Sequence, residues 1–365
     1  IGIQIKNKLK FLITIIAINR LGKIPILYPN YPNIQDYIES TGHSISLTDN
    51  DIEVSENNTK SKEIIYNKHS IQLVIFTSGS TGMAKPCQLT FDNLYQSSVL
   101  WHKVIKFNQH DIYLNHMPLN HVSGLCIFFR ALYNNFTMIM NNFNTSNYMN
   151  YIEHNQINII SMVPYMLKKI VQNNYYYKLK NLKAIIIGGD QIDKGLIQII
   201  NKNEIPAYIS YGMTETSSGI AGYWANNNYQ YQPHANVDID VNNNKIRIKS
   251  KTVMHGYMND KQTENIYQTN DMGMLDKNGL LSINKRQDDV IVSKGEKFSA
   301  NYTKLLIESL QEVNNCKLKV IKNTLEGMSI HAYINLDKEI DKDELHIKLK
   351  NILPYYMIPN KITIL

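Results

Sequence analysis

The sequence has few cysteines and no cysteine motif. Its three cysteines, Cys87, Cys126 and Cys316, form no C-x-x-C pair and show no spacing typical of a metal site. This argues against a disulfide-rich secreted scaffold and against a cysteine-ligated zinc domain. Isolated cysteines are typical of a reducing compartment, so we expect the protein to be cytoplasmic.

The chain also has no cluster of basic residues. Its 38 Lys and Arg and 31 Asp and Glu give a formal net charge of +7, spread along the chain without a lysine or arginine block. Such a distribution indicates a solvated surface with some attraction for anions rather than a nucleic-acid-binding face. We therefore expect no nucleic-acid partner.

No signal peptide and no apolar run of membrane-spanning length is visible. The apolar region 9–27 is interrupted by Asn19, Arg20 and Lys23, so it is too short and too charged to span a bilayer. It predicts instead a buried helix followed by a strand at 24–27. The chain begins with an isoleucine inside a regular element, so we expect its start to be missing. We predict no transmembrane segment, and the sequence does not indicate an oligomeric state.

The rest of the composition is that of an ordinary globular protein. With 365 residues, 43% of them hydrophobic, the chain is long enough for two or more domains and a sizeable core. Residues 1–70 predict strand, helix, strand and then a polar stretch, whereas 237–250 alternates in the manner of antiparallel strands. Helices and strands alternate again from residue 302, which predicts a small α+β unit.

The stretch 74–86, V-I-F-T-S-G-S-T-G-M-A-K-P, carries the first functional signal. Three apolar residues predict the end of a buried strand, and hydroxyl residues and glycines follow that do not suit a core. Backbone N–H groups, hydroxyls and the ammonium of Lys85 in one loop suit a polyphosphate. A Ser/Thr-rich surface turn is the alternative, and the spacing is not that of a Walker loop. The loop residues before the lysine are Thr77, Ser78, Gly79, Ser80, Thr81 and Gly82.

Four further motifs follow in order. They are N-H-M-P-L-N-H-V-S-G-L at 115–125, Y-I-S-Y-G-M-T-E-T-S at 208–217, T-N-D-M-G at 269–273 and K-R-Q-D-D-V-I-V-S-K-G-E at 285–296. Together with 74–86 they resemble the adenylate-forming superfamily of acyl- and aryl-CoA ligases, nonribosomal-peptide adenylation domains and luciferases. The resemblance covers nearly the whole chain, although alanine and proline replace a proline and a glycine of the usual phosphate loop.

The resemblance implies an α/β fold in two domains. The large N-terminal adenylate-forming domain is expected to combine layered α/β subdomains with a small β-barrel, and the C-terminal domain to be a small, mobile α+β unit. We place the AMP-binding domain at 1–285 and the C-terminal lid at 286–365. The chain ends before the Gly-Lys whose lysine serves adenylation in the family, so we expect both ends to be short.

The resemblance assigns the reacting groups to four side chains. Lys85 and Thr214 would contact phosphate or carboxylate, His121 would lie over the acyl pocket, and Glu215 would be the ligand of Mg²⁺. The aspartate that pairs with the ammonium group in amino-acid adenylation domains has no counterpart near this histidine. The sequence therefore favours a plain carboxylic acid as substrate.

Further positions are assigned to the nucleotide. Gly188 and Gly189 would form a pocket wall, and Tyr211, followed by Gly212 at a strand end, would offer an aromatic face to the base. A turn at 269–273 would present Asp271 to the ribose, and the other ribose contact would be Arg286.

The last motif is assigned to domain movement and CoA. Asp288 matches the hinge about which the C-terminal domain of the family rotates. Lys294 and Gly295, followed by Glu296, match the segment that forms the pantetheine tunnel.

The expected activity is a two-step ligation. ATP and a small carboxylic acid give an acyl-adenylate and pyrophosphate, and the thiol of CoA then attacks the adenylate; Mg²⁺ and cationic donors would stabilise the phosphates. The motifs are most similar to o-succinylbenzoate–CoA ligases and fatty acyl-CoA synthetases, so menaquinone or fatty acid metabolism is expected. The alternatives are a degenerate nucleotide- or acyl-binding homologue and an amino-acid adenylation domain.

Overall fold

A computed structural model describes residues 1–31, 34–54, 64, 66–78, 84–173, 176–225, 229–286, 290–293, 296–323 and 327–365. Ser78 and Arg286 are described through their backbone positions at strand ends. Seven of the predicted site residues lie outside the described residues: Gly79, Ser80, Thr81, Gly82, Asp288, Lys294 and Gly295.

The first 140 residues supply one sheet and the start of a second. The elements are β1 (Gly2–Gln4), α1 (Lys8–Arg20), β2 (Ile26–Leu27), α2 (Gln35–Thr41), β3 (Ile45–Thr48), β4 (Ile71–Ser78), β5 (Ala84–Thr90), α3 (Phe91–Ile105), β6 (Ile112–Asn115), α4 (Val122–Asn134) and β7 (Thr137–Met140). The predicted helix and strand within 9–27 are confirmed as α1 and β2. The sequence did not predict α2 and β3.

The middle of the chain completes the second sheet and adds a third. The elements are α5 (Tyr148–His154), β8 (Ile159–Met162), α6 (Pro164–Gln172), β9 (Ala184–Ile187), α7 (Lys194–Lys202), β10 (Ala207–Met213), β11 (Ser218–Trp224), β12 (Gln232–Pro233), β13 (Asp238–Asn242), β14 (Lys245–Lys249), β15 (Gly256–Tyr257), β16 (Ile266–Leu275) and β17 (Leu281–Arg286).

The C-terminal part forms a fourth sheet with two helices, which confirms the predicted alternation of helices and strands. The elements are β18 (Val290–Ser293), β19 (Glu296–Ser299), α8 (Ala300–Glu308), β20 (Val313–Asn323), β21 (Gly327–Leu336), α9 (Lys342–Ile352) and β22 (Lys361–Ile364). Their apolar residues form a hydrophobic cluster of their own. The domain boundary at 285/286 stays a prediction.

Two layered sheets build the larger part of the molecule. The first has the order β15-β5-β4-β2-β1-β3 and the second β12-β11-β10-β9-β8-β6-β7. In the second sheet β6 to β10 run parallel, whereas β10 and β11 form an antiparallel pair. The predicted α/β fold is confirmed.

The third sheet confirms the antiparallel strands predicted at 237–250 and corrects one local prediction. It has the order β13-β14-β16-β17. The predicted turn at 269–273 is wrong, because these residues lie inside β16 and Asp271 is paired with Arg286 of β17. A shift of register after Met272 marks the only irregularity in that pairing among the described residues.

Helix α4 is buried because it lies between the two large sheets. Leu125 and Phe129 pack into the core of the first sheet, whereas Ile127 packs into that of the second. The helix starts close to the chain that precedes it, since the side-chain amide of Asn115 donates to the carbonyl of Gly124 at 2.9 Å. Residues 124–127, Phe129 and Arg130 are therefore buried, whereas Leu132 and Tyr133 in the last turn are exposed.

Helix α3 begins with a capping box. The hydroxyl of Thr90 accepts from the backbone N–H of Asn93 at 3.0 Å, and the Asn93 side chain accepts from the Thr90 N–H at 2.9 Å. The same amide donates to the carbonyls of Lys251 and Val253, both at 2.8 Å. This reciprocal pairing satisfies two backbone donors at the helix start.

In the part of the chain that the structure describes, no helix combines the length and apolar character that crossing a membrane requires.

Replacing Gly124 by alanine should destabilise the fold. A Cβ at this position would lie 2.3 Å from the carbonyl oxygen of Pro118 and 2.7 Å from that of Met117. Because backbone atoms have to move, we expect a loss of about 1–3 kcal/mol in the free energy of unfolding, measured by urea denaturation. The control is Gly195→Ala in α7, whose Cβ would meet only Asp193 Oδ1 at 3.3 Å. Equal losses for the two variants would contradict the packing described here.

Candidate active site

A cavity of about 370 Å³ lies at the carboxyl ends of the parallel strands of the second sheet. Its walls include residues that follow β6, β8, β9 and β10, together with the end of β4 and parts of the C-terminal unit. The carboxyl ends of parallel strands meet at one edge of a sheet, which is where open α/β sheets bind their ligands. Motifs that are far apart in the sequence are brought together here.

Most of the described residues that the sequence predicted for the site line this cavity: Thr77, His121, Gly188, Gly189, Gly212, Thr214, Glu215 and Asp271. Two predicted residues, Tyr211 and Lys85, are not among the described residues that line the cavity. The hydroxyl of Tyr211 donates to Asp271 Oδ2 at 2.8 Å. The ammonium of Lys85 lies 5.4 Å from the centre of the Tyr257 ring.

Glu215 is a buried carboxylate held by a tyrosine. It lies in a 3₁₀ turn at Thr214–Thr216, between β10 and β11, and is 9% exposed. Its Oε1 accepts from the hydroxyl of Tyr257 at 2.7 Å. Burial raises the pKa of Tyr257, and the charge of Glu215 adds to that effect, so the tyrosine remains a donor. The hydroxyl of Tyr267 lies 3.5 Å from the same oxygen, and Glu215 is one of the residues that line the cavity.

One carboxylate of this kind fits a magnesium site that is completed by a substrate. The described residues contain no group of three His, Cys, Asp or Glu side chains that could hold a metal ion without further ligands. Mg²⁺ is usually held by one or two carboxylates, by water and by phosphate oxygens. Glu215 therefore suits a metal that arrives with a nucleotide, and its predicted role as a ligand stays a prediction.

His121 connects three segments at the mouth of the cavity. It is the residue immediately before α4, and its Nε2 lies 3.2 Å from the hydroxyl of Tyr31. The same nitrogen lies 3.4 Å from Glu296 Oε2 in the C-terminal unit. The ring of Tyr31 also meets the ring of Tyr356 edge-on, with centroids 5.8 Å apart. The C-terminal unit therefore completes the wall next to the histidine.

Arg130 is a site residue that the sequence analysis missed. It is 2% exposed, and its Nη2 donates to the hydroxyl of Ser218 at 2.6 Å. Its guanidinium lies 4.5 Å above the ring of Trp101. Its Nε has no acceptor and, among the described residues, no carboxylate pairs with it. The sequence feature that could have identified it is an arginine inside the apolar run L-C-I-F-F-R-A-L.

Trp101 was missed as well. It is 1% exposed and lines the cavity beside Arg130, with the rings of Tyr208 and His234 edge-on to it at 5.7 and 5.4 Å. Its indole Nε1 has no acceptor among the described residues. A Cβ at Gly219 would lie 2.6 Å from this ring, so only glycine allows β11 to pack this closely against it. We call Trp101, Arg130, Ser218 and Gly219 the Arg130 site.

His116 is a third missed residue with a free polar atom. It is buried in the cavity wall, its Nδ1 lies 3.4 Å from the hydroxyl of Tyr148, and its Nε2 has no partner among the described residues. Burial lowers the pKa of His116 to about 4, and the charge of Lys8 acts in the same direction. Burial and the charge of Arg130 likewise lower the pKa of His234 to about 4. Both histidines are therefore neutral at neutral pH.

These two histidines should make the protein acid-sensitive. Their folded pKa of about 4 lies below the ordinary 6.5, so the unfolded chain takes up protons first and stability falls as the pH drops from about 6.5 to 4. Each contributes up to about 1.4 kcal/mol per pH unit to the slope. His116→Gln and His234→Gln should each reduce the slope of the free energy of unfolding against pH, and the double variant should reduce it by the sum. An unchanged slope in the double variant would contradict this.

Comparison with known proteins agrees with this geometry. A family model described as AMP-binding enzyme matches residues 32–258. The 2-succinylbenzoate–CoA ligase of Bacillus licheniformis is 27% identical over 308 residues, which cover 78% of this chain and 64% of that protein. The chain thus spans just under two thirds of the length of this relative.

Solved structures of o-succinylbenzoate CoA synthetase from Bacillus subtilis have the same fold. A variant bound to its product analogue OSB-NCoA has a TM-score of 0.88 at 24% identity, covering 100% of this chain and 84% of that one. The complex with ATP and magnesium ion has a TM-score of 0.71 at 22% identity, covering 100% and 85%. Because the family model spans more than half of the chain, this protein belongs to the AMP-binding enzyme family.

Proposed function

We propose that the protein is an AMP-forming acid–thiol ligase. In the first step a carboxylate of the acid attacks the α-phosphorus of ATP and releases pyrophosphate. In the second, the thiol of CoA attacks the acyl carbon, forms the thioester and releases AMP. Membership of the AMP-binding enzyme family supports this proposal, as do the relatives named as CoA ligases. The isolated cysteines and the absence of a cluster of basic residues in the sequence are consistent with a protein that is located in the cytoplasm.

We propose further that the acid carries a second carboxylate, as 2-succinylbenzoate does. One observation carries this: Arg130 lines the cavity as a buried cation with only neutral neighbours among the described residues. A buried charge without a counter-ion is costly, and an anionic ligand removes that cost on binding. An acid with one carboxylate would leave the arginine unpaired, because that carboxylate is consumed by adenylation.

The same charge disfavours an amino acid. A substrate ammonium close to Arg130 would bring two cations together in a site of low dielectric, where their repulsion is strong. In the Arg130 site the other polar groups are the hydroxyl of Ser218 and the indole N–H of Trp101, and neither is an anion. This supports the prediction of a plain carboxylic acid.

The nucleotide would be held by the carboxylates on the other strands. Asp271 is oriented by the hydroxyl of Tyr211 and would accept from the ribose hydroxyls. Glu215, fixed by Tyr257, would be the protein ligand of a magnesium ion carried in with ATP. When bound, that ion neutralises phosphate charge so that the carboxylate can approach the α-phosphorus. Gly188 and Gly189 would leave room for the base.

The phosphates would lie at the end of the β4–β5 pair. Thr77 and Lys85 face each other in that pair, which flanks residues 79–83. Thr77 lines the cavity, and the lysine ammonium is near the ring of Tyr257, whose hydroxyl binds Glu215. A cation and a magnesium ligand in contact with one tyrosine suit a shared phosphate group.

The second step would use the contact of His121 with the C-terminal unit. Glu296, which follows the segment predicted to form the pantetheine tunnel, is 3.4 Å from the histidine. We propose that residues 286–365 form a lid that rotates near Asp288, so that one face serves adenylation and the other thioester formation. In the arrangement described here, Tyr31 and Tyr356 hold the lid against the larger part.

Substitution of Arg130 tests the substrate class. Arg130→Met keeps a long apolar stem and removes the charge, so kcat/KM for 2-succinylbenzoate in ATP–pyrophosphate exchange should fall by about 10²–10³. With 4-oxo-4-phenylbutanoate, which lacks the ring carboxylate, the change should stay within about threefold. Arg130→Lys, which keeps the charge, should retain part of the preference. Equal losses with both acids, or a wild-type protein that prefers 4-oxo-4-phenylbutanoate, would contradict the proposal.

A further inference from the structure

We infer that Trp101 is a specificity-determining residue whose indole N–H binds the second carboxylate of the acid together with Arg130. This inference rests on the proposed function for the identity of the acid. It adds to that function a second donor, from a different helix, and a reason why an ionised carboxylate is preferred over other polar groups.

The indole ring is fixed in position by its neighbours. Tyr208 and His234 meet it edge-on, and the guanidinium of Arg130 covers one face at 4.5 Å. The ring is 1% exposed and still forms part of the cavity wall. A residue held in this way has little freedom to turn its N–H toward another acceptor, so the N–H direction is part of the site.

The N–H of this ring has no acceptor among the residues that the structure describes. Buried polar groups are almost always hydrogen-bonded, and each exception needs an explanation. The hydroxyl of Ser218, which lies in the same site, is already engaged by Arg130 at 2.6 Å. Among the described residues none accepts from Trp101 Nε1, and none accepts from Arg130 Nε. Two neighbouring donors in one cavity wall are therefore left for a ligand.

A glycine packs closely against the ring. At position 219 a Cβ would lie within contact distance of Ser210 Oγ and 2.6 Å from the six-membered ring of Trp101. Any side chain there would displace the indole, so Gly219 helps to fix the position of its N–H. Strand β11 therefore approaches the ring through a residue that has no side chain.

The chemistry of the two donors selects the ligand group. Arginine and tryptophan are both donors only, so their partner must be an acceptor. An ionised carboxylate accepts on two oxygens and donates nothing, whereas an amide or a hydroxyl group brings a donor into the same space. The pair therefore favours a carboxylate and penalises its neutral isosteres. Hydrogen bonds to a charged acceptor are about twice as strong as neutral ones, which sets the expected size of the effect.

Trp101→Phe tests the inference with little change in shape. Phenylalanine keeps an aromatic ring under Arg130 and between Tyr208 and His234 but has no N–H. We expect kcat/KM for 2-succinylbenzoate in pyrophosphate exchange to fall about 10–100-fold, mostly through KM. With 4-oxo-4-phenylbutanoate the change should be within about threefold. A similar loss with both acids would show that Trp101 only supports the fold, and no loss with either would show that its N–H does not reach the ligand.

Fluorescence provides a second test that does not depend on catalysis. The chain has two tryptophans, and Trp224 is 36% exposed on β11. In Trp224→Phe, which leaves Trp101 as the sole emitter, 2-succinylbenzoate should shift the emission, and 4-oxo-4-phenylbutanoate at equal occupancy should leave it nearly unchanged. An identical response to both acids would overturn the inference. A selective response without any pyrophosphate exchange would support the role of Trp101 and count against the proposed function instead.

Discussion

The site depends on one full positive charge, that of Arg130, for which the described residues provide no counter-ion. Arg130 is buried because α4 lies between two sheets, and the described groups around it are hydroxyls and an aromatic face. The ring of Trp101 stabilises the cation without neutralising it. The same charge helps to keep His234 neutral. The buried cation destabilises the fold less when an anion binds next to it. The stability of the fold and the choice of substrate are therefore linked through Arg130.

Backbone geometry brings that charge close to Glu215. β10 and β11 form an antiparallel pair at the edge of the parallel strands, and the turn between them carries Glu215. Two residues of the Arg130 site, Ser218 and Gly219, start β11 directly after that turn. Only Thr216 and Ser217 thus separate Glu215, the proposed magnesium ligand, from the Arg130 site. In the proposed reaction, an acid and an ATP bound at these two places would be held close together, which is one way in which such a site raises the rate.

The sequence predicted the polar residues that recur at strand ends, and it failed for residues inside regular elements. Thr77, Thr214 and Glu215 follow apolar strands in short polar motifs, so order and spacing were enough to find them. Asp271 was found too, but in the wrong local structure, because T-N-D-M-G has the composition of a turn and only pairing with β17 makes it a strand. Arg130 and Trp101 lie in helices whose patterns predict core. What distinguishes them is that polar atoms of both lack partners among the described residues, which is a property of three-dimensional packing.

The central claim is that Arg130 and its neighbours bind a second carboxylate, and an adenylate mimic tests this most directly. Isothermal titration calorimetry would compare the sulfamoyl-adenosine analogue of 2-succinylbenzoyl-adenylate with its ring methyl ester. Both mimics carry the same nucleoside and acyl chain, so the difference in Kd isolates the ring carboxylate. The account predicts that the free acid binds at least about 100-fold more tightly, since the ester leaves the arginine buried and unpaired. Equal Kd values would contradict it.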